Sequence, residues 1–217
     1  SCGSLGHSRP ENAPDGAPAR CLDGCPAADT CPYDAERIYL RDKGVHVPVI
    51  RKVVSLENTD ESVREALKTG PYGRCVYRCD NDVVDHQVAS LLFENGTTVA
   101  FTMCAFSDAC DRTVKFMGTR GEIRASMDNN VIEVTQFGAG VRTGTTAVYT
   151  VKPGSTGHSG GDEGIMEEFV SILKGERENT NTIAQSVHSH VMAFAAEESR
   201  LTGRTVDVAD FEKSVMA

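Results

Sequence analysis

Between residues 74 and 106 the spacing of apolar and polar positions predicts a β-hairpin. The runs 87–94 and 97–106 are rich in β-branched and aromatic residues. Asn95-Gly96 between them offers the two positive-φ positions of a type I′ turn. Along the second arm Val99, Phe101, Met103 and Ala105 fall on one face and Thr98, Ala100, Thr102, Cys104 and Phe106 on the other. Neither face carries a charge, which predicts a central strand covered on both sides. Four more short extended runs follow, at 112–117, 121–126, 131–136 and 146–151, divided by Gly and Asn turns. Upstream, 47–56 also reads as extended, with Pro48 placing its start at a sheet edge, and 205–208 reads as a further edge strand.

Helical spacing occupies the rest. A short helix is expected over 33–40, and a second over 61–69, capped by Asp60 and ended by Gly70-Pro71. A third spans 163–174, with Ile165, Phe169, Ile172 and Leu173 on one stripe, Asp162 placed to cap it and Gly175 to end it. The longest, 182–202, stops at Gly203; its His188 and His190 read as packing residues. Residues 1–36 hold five of the eight prolines and four of the eight cysteines with little apolar periodicity, so an irregular lobe is expected there. The predicted class is α+β: a Cys-rich lobe over 1–36, then a domain over 37–217 built on one large, mostly antiparallel sheet of roughly seven or eight strands, with helices covering one face.

Composition narrows the function classes. A chain of 217 residues that is 40% hydrophobic can bury a full core. The net charge is −9, with no basic run interleaved with aromatics, so nucleic acid and anionic membrane are poor partners. The longest apolar runs are too short to span a bilayer and no export signal opens the chain, so a cytoplasmic protein is expected. The opening Ser1-Cys2-Gly3 lacks an initiator Met and reads as a piece of something longer.

Three stretches carry candidate chemistry. Cys21, Cys25 and Cys31 lie close enough along a turn-rich segment to chelate one zinc ion, with His7 as the nearest fourth ligand and Cys2 as the next; packed, reduced thiols are the alternative. The stretch 80–86 gathers three carboxylates, an amide and an imidazole just ahead of the hairpin, among them Asn81, Asp85 and His86. These residues are either a ligand site or a loop whose Asx side chains cap its own backbone. The glycine-rich segment 153–164 carries His158 and Asp162, and Asp162 is either a ligand or a helix cap. Gly138, Gly140 and Gly144 have the wrong spacing for a dinucleotide loop and precede no helix.

Taken in order, CPYDAERIYL at 31–40, CDNDVVDHQV at 79–88, FENGTTVAFTM at 93–103, FMGTRGEI at 116–123, HSGGDEGIMEEFV at 158–170 and SVHSHVMAFAAEESRLTGRTVDV at 186–208 resemble the C-terminal domain of the Gfo/Idh/MocA oxidoreductases. These are the glucose-fructose oxidoreductase and inositol dehydrogenase type of NAD(P)-dependent oxidoreductase, and the cysteine lobe fits the likeness. The resemblance implies a parent enzyme that uses NAD or NADP on a sugar or polyol. In that family an N-terminal Rossmann domain holds the nucleotide, a Glu-Lys-Pro motif supplies a lysine, and a His-Asp-x-x-Asp motif supplies the acid/base. None of these is present: there is no Gly-x-Gly-x-x-Gly, and the only Glu-Lys is Glu212-Lys213. The chain is therefore expected to be the substrate-facing and oligomer-forming half, inactive by itself, joining as a homodimer or homotetramer through its sheet. Asn81, Asp85, His86, His158 and Asp162 are its candidate substrate contacts. A non-catalytic binding or scaffold module is the alternative. An independent hydrolase is disfavoured by the lack of a Gly-x-Ser-x-Gly elbow or a His-Glu-x-x-His helix.

Overall fold

The computed structural model describes residues 1–42, 47–152, 154, 160–180 and 182–216. The chain forms two compact units, one of residues 1–106 with 193–217 and the other of residues 107–192.

In the first unit β1 (Cys2–Ser4), β2 (His86–Leu92) and β3 (Thr98–Cys104) form an antiparallel sheet in that order. The hairpin is present, and its turn differs from the predicted one. Only Gly96 has positive φ, at 81°, while its N–H donates to Phe93 O and Phe93 N–H to Thr97 O. This is the longer hairpin loop that ends on a left-handed glycine. The Asn95 carboxamide accepts from Thr97 N–H at 3.0 Å, which steadies the loop without a positive φ at Asn95.

The second unit carries a four-stranded antiparallel meander, β4 (Thr113–Met117), β5 (Gly121–Ser126), β6 (Val131–Gln136) and β7 (Thr145–Thr150). It also holds α3 (Gly161–Leu173) and the first part of α4 (Ile183–Thr202). The α+β class holds, but the strands divide into sheets of three and four rather than one of seven or eight. Accordingly β3 is an edge strand of its sheet and exposed at six of its seven positions, not covered on both sides. Its uncharged faces reflect apolar surface left open.

The 47–56 region is the largest departure: it folds as helix α1 (Val47–Val54). Eight residues with apolar positions on both periods cannot decide between strand and helix, and the tertiary contacts do so. Arg51 reaches Asp60 Oδ1 at 2.6 Å and Asn58 O at 3.1 Å, while Val54 packs on the buried cluster of Ala35, Leu40, Val63 and Leu67. Val63 and Leu67, one turn apart on α2 (Asp60–Thr69), are fully buried, so a mostly polar helix is anchored by two side chains. Thr59, not Asp60, caps α2: its hydroxyl accepts from Ser62 N–H at 3.1 Å while Ser62 Oγ accepts from Thr59 N–H at 3.1 Å. At the other end Arg20 donates to Leu67 O and Gly70 O, satisfying carbonyls the helix leaves unpaired.

The expected helix over 33–40 is a turn followed by a π-helical turn, Arg37–Arg41, started by Asp34, whose carboxylate accepts from Arg37 N–H at 2.7 Å. At the C-terminus the edge strand expected over 205–208 gives way to α5 (Val208–Met216). Asp207 starts that helix by accepting from Asp210 N–H at 2.9 Å. A capping carboxylate outweighs two β-branched residues there.

Candidate functional site

The polar stretch before β2 sorts into exposed and buried members. Asp80 pairs with Arg74 at 2.7 Å, and that hydrogen bond holds its carboxyl below the ordinary range. Asn81 and Asp82 are exposed. Asp85 is buried.

Asp85 holds the N-terminal segment in place. One carboxylate oxygen accepts from Gly6 N–H at 2.9 Å and His7 N–H at 2.7 Å, and the other is 2.7 Å from His86 Nδ1. Burial opposes its charge, but the donors from His7, Gly6, His86 and Ser8 outweigh it, so its carboxyl sits well below the usual carboxylate range. Around it Asp85 N–H donates to Ser4 O at 3.0 Å, and Ala105 N–H donates to Asp85 O at 2.8 Å. Residue 85 therefore joins β1, β2 and the end of β3.

His86 is the accessible member. With Nδ1–H donated to Asp85, the other ring nitrogen, Nε2, is left as an acceptor and stands 3.5 Å from Ser4 Oγ. The side chain is about half exposed. Gly6 leaves room for the ring, since a Cβ there would lie 3.2 Å from His86 Cε1. A carboxylate-oriented imidazole beside a hydroxyl can hydrogen-bond a ligand hydroxyl or take its proton.

Two predicted residues belong to the glycine-rich segment. Asp162 lies exposed in the first turn of α3, in the second unit. The residue at the cap position is Gly160, with φ of 90°, so Asp162 is not the cap. His158 lies outside the described residues.

In the lobe, His7 serves aromatic packing. Its Nε2 is 3.1 Å from Tyr77 Oη and its ring meets Tyr33, Tyr77 and Phe106 at centroid distances of 5.7, 5.4 and 5.1 Å. Cys21 packs against the α2 cluster, whereas Cys25 and Cys31 pack against Ala17, Cys75 and Tyr77. Burial, Asp34 and the neighbouring Cys75 and Cys25 push the Cys21 thiol up, against a backbone hydrogen bond at Ala35 that lowers it. Among the described residues no group of three or more His, Cys, Asp or Glu side chains stands ready to hold a metal ion. The set of Cys21, Cys25, Cys31 and His7 is thus not assembled as such.

Sequence reasoning missed Ser4, Gly6 and Tyr77. Gly6 and His7 lie 79 and 78 positions from Asp85, and no local pattern signals a pairing across that distance.

Comparison with known families decides the lineage. A model of the oxidoreductase family, C-terminal alpha/beta domain, matches residues 48–208. The chain belongs to the Gfo/Idh/MocA oxidoreductase family. The match covers most of the chain, including the strands of both sheets other than β1. Comparison with curated proteins and with solved structures gives no significant match. Among the described residues, no helix of this family member is long and apolar enough to cross a membrane.

Proposed function

We propose that this chain is the substrate-facing and oligomer-forming half of an NAD- or NADP-dependent oxidoreductase acting on a sugar or polyol. Its parent's nucleotide is held by an N-terminal Rossmann domain, and the catalytic lysine and histidine come from motifs that these 217 residues do not contain. The observation behind this reading is the match of residues 48–208 to the family's C-terminal domain. Two features of the chain agree with it. His86 offers an oriented, half-exposed nitrogen suited to a substrate hydroxyl, with Asp85 as its support and Asn81 exposed nearby. His158 and Asp162 are the candidates from the glycine-rich segment. The second feature is open apolar sheet surface: Val99 and Phe101 are 40% and 50% exposed on one face of β3. A partner domain or a second copy covers such a face in the assembled enzyme.

The test uses the full-length parent. Reduction of NAD or NADP by a panel of polyols and aldoses should be measurable, and His86→Ala should lower kcat/KM at least about tenfold while leaving NAD(H) affinity unchanged. The 217-residue chain alone should show no NAD(H) binding by calorimetry, because it lacks the glycine turn that lets backbone N–H groups approach a pyrophosphate. Absence of turnover on every sugar and polyol, or micromolar NAD(H) affinity in the isolated chain, would overturn the proposal.

A further inference from the structure

Four cysteines border one small cavity in the first unit. Cys21, Cys25, Cys31 and Cys75 line it together with Tyr33 and Tyr77. The cavity measures about 10 Å³, the room of a single water-sized sphere. The backbone brings these four residues together from three places. Arg20 and Arg74 form an antiparallel bridge, with Cys21 N–H donating to Gly73 O at 3.0 Å and Cys75 N–H to Ala19 O at 2.9 Å. Residues 21 and 75 are thereby held on adjoining strands of chain. Between 25 and 31 the backbone turns back, with Ala28 N–H donating to Cys25 O and Cys31 N–H to Ala27 O at 2.8 Å. Cys25 and Cys31 thus approach from the two ends of one turn.

None of the four is in a disulfide. Cys75 is buried and the other three are half-buried, in a lobe whose apolar cluster has Ala17, Cys75 and Tyr77 as its buried members. So small a cluster holds an irregular segment poorly, and lobes of this kind are commonly closed by a metal or a disulfide. His7 is occupied by Tyr77 and its aromatic neighbours. Cys79 is turned to Cys75 O and is not a wall of the cavity.

We propose that Cys21, Cys25, Cys31 and Cys75 are the four ligands of one structural zinc ion, with Cys75 in the place first expected of His7. The side chains do not stand in a closed metal geometry. The four cysteines line one small space, and closing a tetrahedral site requires their sulfurs to turn toward a common centre. Four thiols binding one divalent ion lose four protons to solvent and leave a tetrathiolate complex, so affinity rises with pH. No oxidant or reductant takes part.

Metal analysis of the chain, purified without chelator, should find about one zinc per chain. Replacement of zinc by cobalt should give the visible bands of a tetrahedral thiolate complex. Cys75→Ser should weaken zinc at least about tenfold, whereas His7→Gln and Cys79→Ser should retain it. Thiol titration should count four fewer reactive cysteines before chelation than after. Less than about one zinc per ten chains, together with no tetrahedral cobalt spectrum, would overturn the assignment. So would zinc lost in His7→Gln and retained in Cys75→Ser. If Cys75→Ser does not fold, the cobalt spectrum and thiol count of the unsubstituted chain decide.

Discussion

Asp85 shows how one side chain can fasten a terminus that no local pattern ties down. Its carboxylate collects Gly6 N–H, His7 N–H and His86 Nδ1 inside 3 Å. Asp85→Asn keeps the shape but removes the charge those donors are arranged around. It should cost about 2–3 kcal/mol, read as a lower midpoint in urea unfolding. The pH dependence has a definite sign. The folded carboxyl titrates below its unfolded value of about 3.9, so its contribution is complete above that pH and is lost as pH falls toward the folded value. The chain should therefore lose stability below about pH 4 more steeply than Asp85→Asn does. Equal acid limbs in the two proteins would show that Asp85 does not hold β1 in place.

At the scale of elements, α2 illustrates how few contacts fasten a polar helix. The reciprocal bonds between Thr59 and Ser62 start it, Val63 and Leu67 bury its stripe, and Arg20 closes its far end. Thr59→Ala should cost about 1 kcal/mol by thermal or urea unfolding. Gly73 is a stronger constraint: a Cβ there would fall 1.7 Å from Leu67 O, which is backbone and cannot yield without moving the helix end. Gly73→Ala should cost at least about 2 kcal/mol and, by shifting Cys75 two residues on, should disturb the lobe before the sheets. Hydrogen exchange should then rise first around residues 17–31. An unchanged lobe would mean that the 71–75 segment is free to slide along α2.

For the whole molecule the feature that bears on association is the set of large apolar side chains exposed in both units. Phe116 and Phe169 in the second unit are 61% and 53% exposed, and Phe101 in the first is half exposed. Burying such area against a second copy would favour association by about 25 cal/mol per Å². The chain should have a mass above its monomeric 23.3 kDa by light scattering at roughly tens of micromolar. Phe101→Asp should shift it toward monomer if the β3 face is the contact. A monomer at that concentration would overturn self-association through this face.

Much of this was legible in the chain itself. The β2–β3 hairpin, the four strands of the second sheet and helices α2, α3 and α4 follow from period, turn residues and breakers, because those are local properties of backbone and side chain. The ordered run of family segments likewise placed the chain among the oxidoreductases. Contacts between separate elements decided much of the rest, whereas the starts of α2 and α5 turned on the local caps at Thr59 and Asp207. The 47–54 segment became a helix because Arg51 and Val54 find partners on α2 and its cluster. His7 turned to Tyr77, and Asp85 turned to backbone N–H groups nearly eighty residues away. The lobe's three close cysteines were visible in sequence, but Cys75 joins them only through the Arg20–Arg74 bridge, a pairing of chain segments that no periodicity encodes.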